Sequence, residues 1–395
     1  MTESRISPPA ADLAALGRRS LAVGALFAVI SLVGLASNPA QFFRSYLVAF
    51  ADVLGVALGS LAILMLHHMS GGAWGLVIRR ILEASSRTLP LIALFAVPLP
   101  FGFRYVYPWA DPARVAADEI LRHRAAYMNP AGVAIRLAVA FLLWIVFAQA
   151  LSRMSKKQDE APDAGLERRM QLVAAPGLAL YCLLVTVVAI DLLMSLDPHW
   201  FSAIYGVYVV GGQALAGLSF TLLACLFLAR RGPMEHVLQP RHVHDLGKLL
   251  LAFTMLWAYF ALSQFLIIWS GNLPEEIGFF HDRLTGGWGV VSLALALFHF
   301  ALPFVFLLSR NFKRDLGRLV WVAVLLLFMR WLDLYWLAAP AFHPGKLSPH
   351  WLDVTTPVAL LGTWLWAFTR QLAMRPLLPV NDPELAVALE VHAHD

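Results

Sequence analysis

Long apolar runs separated by short polar loops make up most of the chain. Ten of them approach the roughly 20 residues that a helix needs to cross the hydrocarbon core of a bilayer. They lie at about 20–37, 46–68, 89–107, 131–152, 172–195, 203–230, 246–270, 288–310, 316–338 and 351–373. The runs are too long for membrane β-barrel strands and lack two-residue alternation. The pattern predicts an all-α membrane protein with about ten transmembrane helices at 20–373, an N-terminal tail at 1–19 and a C-terminal tail at 374–395.

Composition points to the same class. Of the 395 residues, 59% are hydrophobic and 14% are charged, and the mean hydropathy is +0.69. Soluble domains average about 45–50% apolar and about 25% charged residues, so a disordered chain and an ordinary water-soluble enzyme are excluded. Cys182 and Cys225 both lie inside apolar runs, which argues against a disulfide scaffold and against cysteine-ligated iron–sulfur or zinc sites. The net charge of +5 comes without a basic patch interleaved with aromatic residues, so nucleic acid is not an expected partner.

Lysine and arginine are distributed unequally between the loops. The N-terminal tail, every second loop and the C-terminal tail hold three times as many as the alternate loops, 21 against 7. The positive-inside rule then places both termini in the cytoplasm, and we expect a multi-pass protein of a bacterial inner membrane. Arg18-Arg19 before the first apolar run resembles a twin-arginine export signal. Nine further spans favour a retained first helix.

Polar side chains inside the apolar runs are the candidates for chemistry, because ionisable groups in the hydrocarbon are costly and usually functional. Asp52 falls in the outer third of the second segment, and His299 falls near the middle of the eighth. Carboxylates and imidazoles exchange protons, while tyrosine, serine and glutamine hold water between them. We therefore predict a proton path across the membrane. Its candidate residues are Asp52, His67, His68, Asp191, Gln213, Tyr259, Gln264 and His299.

A purely structural interpretation of the same charges is also open. Asp52, Asp191 and Asp333 would then pair with Arg136, Arg330 or Arg104, which pins helices together without moving protons. Arg330 and Asp333 are three residues apart on one helix face, so this spacing favours a local ion pair. Asp52 has no charged residue three or four positions away and is the better functional candidate.

Cofactor and packing signals are few. A haem held by two histidines would need both at similar depth, and only His299 is central, so we expect no haem in this chain. Metal-ligand spacing, a phosphate loop and a Ser–His–Asp signature do not occur in the sequence. No residue is a candidate for catalysis. Gly55 and Gly59, four apart, predict close packing of the second helix.

Four stretches taken together resemble one family. The chain is similar to the second large membrane subunit of alternative complex III, a bacterial quinol:cytochrome c (or cupredoxin) oxidoreductase, within the polysulfide-reductase-type, NrfD-like membrane proteins. The resemblance covers roughly 20–373 and is carried by Leu66–Gly75 with Arg79, Arg80 and Glu83, by Asp191–Phe201, by Gln264–Trp269 with Asn272–Glu276, and by Phe298–Phe300.

The resemblance implies two four-helix bundles, formed by predicted helices 2–5 and 6–9, with helices 1 and 10 beside them. It implies a subunit that binds no cofactor itself, next to a homologous membrane subunit that binds the quinol. A periplasmic iron–sulfur subunit, haem c subunits and lipids would be its other partners. It also implies a proton path through this chain. Two other hypotheses stay open at this point, a secondary transporter and a purely structural membrane anchor.

Overall fold

The computed structural model describes residues 7–232, 234–235 and 237–389, and these residues form helices and connecting turns without a β-strand. The first nine helices are α1 (Ala10–Ser37), α2 (Pro39–Ser70), α3 (Ala73–Ser86), α4 (Leu89–Ala96), α5 (Leu99–Val106), α6 (Pro112–Ala117), α7 (Glu119–Arg124), α8 (Pro130–Glu160) and α9 (Ala164–Leu192). The others are α10 (Tyr205–Ala229), α11 (Pro240–Gly271), α12 (Pro274–Leu284), α13 (Trp288–Ala294), α14 (Leu302–Leu308), α15 (Arg310–Lys313), α16 (Leu316–Ala338), α17 (Leu352–Ala373) and α18 (Leu385–Leu389). The predicted all-α class is confirmed.

In the described part of the chain, eight helices are long and apolar enough to cross a membrane, or nine if one bent pair is a single span. They begin at Ala10, Pro39, Pro130, Gly165, Tyr205, Pro240, Trp288 and Leu316. This is the architecture of a multi-pass membrane protein. Helix α17 covers the tenth predicted segment with 22 residues, although it is not among these eight.

The bent pair corrects the third predicted segment, 89–107. Residues 73–96 and 99–106 run in directions that differ by 59°, where the sequence analysis expects one straight helix. Pro98 lies in the break, and proline cannot donate the hydrogen bond that would continue a helix. Helix α3 also begins before this segment, in the stretch between the second and third predicted segments that the sequence analysis treats as a loop.

Helix α2 is the central helix of the fold. In its most apolar window 94% of the residues are buried, and it packs against α3, α9, α10, α16 and α17. It begins at Pro39, well before the predicted start at 46, so Asp52 lies nearer the middle of its helix than expected. At 1.5 Å per residue, Asp52 lies about 20 Å from the Pro39 end of α2 and about 27 Å from the Ser70 end. We name the two sides of the helix bundle after these ends.

Residues from both predicted tails are folded. Residues 10–19 belong to α1, which packs along α17. Beyond α17, Leu377, Leu378 and Ala388 are buried, and α18 contacts α3. The segment 375–389 therefore packs over the Ser70 side of the bundle and is not an exposed tail.

One span contains a π-helical segment. Residues Leu295–Ala301 form it between α13 and α14, and His299 lies within it. A π-helical turn adds a residue to the helical repeat and is often found at functional sites. The sequence analysis expects a regular helix here, because periodicity does not distinguish the two.

Candidate proton-conducting site

Several buried polar side chains meet at the middle of the bundle. We call them the central cluster, and they come from α2, α10, α11, the π-helical segment and α16. Each has at most 7% of its surface exposed. The members are Asp52, Tyr208, Gln213, Trp257, His299, Arg330 and Asp333.

Asp333 accepts more hydrogen bonds than any other member of the central cluster. Its carboxylate accepts hydrogen bonds from the Tyr208 hydroxyl and the Arg330 guanidinium, and from Trp257 Nε1 at 3.1 Å. The ion pair with Arg330 is the one that the three-residue spacing predicts. Gly212 leaves room for the guanidinium, since a Cβ at that position would overlap it. Three donors on one carboxylate therefore stabilise this buried ion pair.

Asp52 differs from Asp333 because it has no hydrogen bond and no ion pair among the described residues. It lacks these partners although it is buried, with only 7% of its surface exposed. The charge of Arg330 acts on it electrostatically. On the same face of α2, Gly55 lies 3.6 Å from the Gln213 side chain, measured from a Cβ built on the glycine. Gln213 in turn accepts a hydrogen bond of 2.8 Å from the Tyr181 hydroxyl. Asp52 is thus a buried carboxylate with free acceptor capacity.

His299 is fully buried, and neither ring nitrogen has a hydrogen-bond partner in the described structure. Its ring lies 3.9 Å from the Trp257 ring, centroid to centroid, and the charge of Arg330 acts on it as well. A buried imidazole without partners is a costly arrangement. Here the ring packs against Trp257, the residue that donates a hydrogen bond to Asp333. The structure therefore brings together three of the predicted path residues, Asp52, Gln213 and His299.

Two other predicted path residues lie on the Pro39 side, away from the central cluster. Asp191 accepts hydrogen bonds of 2.7 and 3.0 Å from Arg136, the pairing that the structural interpretation predicts. Gln264 is buried and accepts a hydrogen bond of 3.1 Å from Ser202. Both side chains serve to hold helix ends together.

Tyr259 requires a correction. It is 64% exposed on the surface of α11, so it does not face the interior as the proton-path prediction requires. It lines a mostly apolar cavity of about 540 Å³ at the side of the bundle. Trp257 points inward instead, because two residues along an α-helix turn the side chain by about 200°.

His67 and His68 lie at the Ser70 end of α2, where Gly71 and Gly72 make the following turn with φ of 66° and 100°. Both rings are buried, and Nδ1 of His67 and Nε2 of His68 have no partner among the described residues. They stand next to a set of ion pairs that we call the Ser70-side network. Its residues are Arg79, Arg80, Glu83, Asp159, Arg375 and Asp382.

The Ser70-side network is buried rather than solvated. Arg79 and Arg80 are 2% and 3% exposed, although both belong to a positive cluster that the sequence places in a loop. Arg79 contacts Glu83 at 3.2 Å and Asp382 at 2.7 Å. The segment after α17 supplies Asp382, which is why these arginines are covered.

Sequence reasoning missed a second buried acid, Asp353, at the Pro39 end of α17. It is 7% exposed and has no ion pair among the described residues. Ser45 and Gln41 donate to its Oδ1 at 2.5 and 3.2 Å, and the backbone N–H of His350 donates to Oδ2 at 2.8 Å. The available signal was the pair of polar residues Gln41 and Ser45, which share one face at the start of α2.

A cavity of about 470 Å³ lies between α2, α16 and α17, and we call it the middle cavity. Both Asp52 and Asp353 line it. A smaller cleft on the Pro39 side, the end cleft, is lined by Gln41, Arg44, His343 and Asp353 among others. Burial, and then the charge of Arg44, lowers the pKa of His343, which favours the neutral imidazole.

The chemistry that these groups can perform is proton exchange. In the described part of the chain no group of three or more His, Cys, Asp or Glu side chains could hold a metal ion. The expectation that cofactors belong to partner subunits stays a prediction. No model of a known protein family matches the chain, and no match emerges from a search of curated proteins.

Proposed function

We propose that this chain is an integral membrane subunit of a respiratory quinol:cytochrome c (or cupredoxin) oxidoreductase. It has no redox centre of its own, supports a homologous quinol-binding membrane subunit, and provides a proton path across the bacterial inner membrane. The observation that carries the proton path is Asp52, a buried carboxylate near the middle of α2 that has no hydrogen bond or ion pair among the described residues. The charge of Arg330, which is paired with Asp333, acts on it. The assignment to this class of complex rests on the sequence resemblance.

In this proposal the Ser70 side is cytoplasmic, as the lysine and arginine distribution predicts. The bent pair and α17 complete ten spans, arranged as two four-helix bundles with α1 and α17 beside them. Contacts within the first proposed bundle join α2 to α3, α4, α5 and α9, and contacts within the second join α10 to α11 and α16. Helix α2 also packs against α10 and α16, so the two proposed bundles share an extensive interface. Helix α1 packs mainly along α17.

The cytoplasmic half of the path would run from the Ser70-side network to the middle cavity. Trp364 lines that cavity and donates a hydrogen bond of 2.7 Å to Thr88 Oγ1. Thr88 donates to the carbonyl of Ser85 at 2.6 Å, and Ser85 Oγ is buried without a partner among the described residues. Polar groups therefore run from the cavity to Ser85 of α3. Glu83 of the network is two residues away on the same helix, and its side chain points about 200° away from that of Ser85.

The structural-anchor hypothesis explains part of this molecule. Asp191 with Arg136, and Asp333 with Arg330, are the pairs it predicts. Asp52 does not fit it, because an anchor gives no reason for an uncompensated acid at mid-depth.

A second candidate function, a secondary transporter, is favoured by one observation. The bent pair is interrupted at Pro98, and the π-helical segment interrupts the Trp288 span. Interrupted helices often form solute sites in transporters. The two interruptions do not occupy corresponding places in the two proposed bundles, which supports the oxidoreductase subunit instead.

Purification from native membranes through an affinity tag on this chain tests the proposal. We expect haem c and iron–sulfur proteins, together with a homologous membrane protein, to co-purify with quinol:cytochrome c activity. Purification of the chain alone, with solute uptake after reconstitution into liposomes, would contradict the proposal and favour a transporter.

A further inference from the structure

The position of Asp353 suggests where protons leave the chain. Asp353 is the one residue among those lining the middle cavity that also lines the end cleft. Asp52 lies on the middle cavity, and Arg44 and His343 lie on the end cleft. A single carboxylate therefore separates the mid-membrane space from the Pro39 side.

The geometry points to Asp353 as the outer proton relay, which takes protons from Asp52 and releases them through the end cleft. This inference rests on the proposed proton path. It replaces Asp191, which the sequence analysis places on that path. Asp191 is held by two hydrogen bonds from Arg136 on the α8–α9 side of the bundle, and it does not line the middle cavity.

The chemical environment of Asp353 suits a relay. The acid accepts hydrogen bonds from the Ser45 hydroxyl, the Gln41 amide and the His350 backbone N–H. The Tyr335 hydroxyl also interacts with it, and no arginine or lysine pairs with it in the described structure. Donors of this kind stabilise the carboxylate without locking it as an ion pair does. Ser45 and Gln41 can reorient when the acid is protonated, because the hydroxyl is also an acceptor.

The distance between the two acids sets the mechanism. Ser45, which contacts Asp353, is seven residues from Asp52 on α2, so about 10 Å of helix separates the acids. A proton must therefore travel through water in the middle cavity, which has a volume of about 470 Å³. This cavity also opens to the surface of the bundle, where its lining residues Phe328 and Val354 are exposed. Its walls between the acids are mainly apolar, with Phe220, Leu327 and Pro357 among them. Such a stretch conducts only while it is wetted.

The transfer is a proton transfer and involves no redox change. The O–H bond of protonated Asp52 breaks, its proton passes along the water chain, and a water delivers a proton to the Asp353 carboxylate. Asp353 then releases a proton to a single water in the end cleft, whose volume of about 10 Å³ is just enough for one. Asp52 becomes an anion next to Arg330, ready to accept the next proton from the cytoplasmic side.

The test uses the complex purified through this chain, reconstituted into liposomes and driven by quinol and cytochrome c. The readout is the number of protons released per electron. We expect Asp353→Asn to lower this ratio to the level of Asp52→Asn, and Asp353→Glu to retain most of it. Val358→Phe, which fills the middle cavity without changing a titratable group, should lower the ratio too. Asp191→Asn should leave it unchanged.

The outcomes separate this inference from the proposed function. If Asp52→Asn leaves the ratio unchanged, the proton path itself fails. If Asp52→Asn lowers the ratio but Asp353→Asn and Val358→Phe do not, only the outer relay is overturned. If Asp191→Asn lowers the number of protons released per electron and Asp353→Asn does not, Asp191 is the outer relay instead of Asp353. The Asp353→Glu variant guards against a folding defect, because it keeps the carboxylate.

Discussion

The guanidinium of Arg330 pairs with Asp333 one helical turn further along α16, while its charge also acts on Asp52 of α2. One arginine therefore faces two acids, and only Asp333 takes its hydrogen bond. Asp333 has two more donors, Tyr208 and Trp257. This division leaves Asp52 as the acid that can gain and lose a proton without breaking an ion pair.

The closest approach of α2 and α10 gives a prediction about packing. A Cβ at Gly59 would overlap the backbone carbonyl of Gln213, and one at Gly217 would lie 2.5 Å from the Gly59 main chain. Gly59→Ala should therefore destabilise the protein by about 1–3 kcal/mol, as overpacking does. Gly55→Ala is the matched control, because its Cβ would sit at an ordinary 3.6 Å from Gln213.

The measurement is thermal unfolding of the purified protein in detergent, followed by tryptophan fluorescence. We expect a lower midpoint for Gly59→Ala and an unchanged one for Gly55→Ala. Equal midpoints for the two variants would show that the helices separate easily at Gly59, against the packing described here.

His299 gives a prediction that separates stability from function. Neither ring nitrogen has a partner among the described residues, so His299→Leu removes no hydrogen bond seen there and replaces a buried polar group with an apolar one. The unfolding midpoint should stay the same or rise, the complex should assemble, and protons released per electron should fall. A clear loss of stability with a normal proton ratio would mean that the imidazole has a structural role instead.

The Ser70-side network predicts that the segment after α17 depends on one acid. Asp382→Asn leaves Arg79, which is 2% exposed, with a weaker partner, and breaking a buried pair costs about 3–5 kcal/mol. We expect faster amide hydrogen exchange across residues 376–389, measured by mass spectrometry. Glu384→Gln is the control, because Glu384 is exposed. Equal exchange in both variants would show that the other contacts of the segment, such as Arg375 with Glu83 and Asn381 with Asp159, hold it without Asp382.

The hydrophobic pattern was sufficient to predict the all-α membrane class, and the three-residue spacing was sufficient for the Arg330–Asp333 pair. The hydrophobic pattern did not reveal the break at Pro98 or the π-helical segment around His299. Each of them interrupts a helix within an apolar run, and the residues on both sides of the interruption are equally apolar. The pattern also placed Tyr259 inside, because the orientation of α11 depends on tertiary packing. Asp353 was missed for a related reason. Its donors Ser45 and Gln41 lie some 300 positions away in the sequence, and only the folded chain brings them together.

The central claim is that Asp52 carries protons, and the proton ratio of Asp52→Asn tests it most directly. Asparagine has nearly the same shape as aspartate, and Asp52 makes no ion pair among the described residues that the substitution could break. Assembly and the unfolding midpoint should therefore be preserved. With the reconstituted complex driven by quinol and cytochrome c, the account predicts fewer protons released per electron than in wild type. An unchanged ratio in a fully assembled Asp52→Asn complex would contradict it.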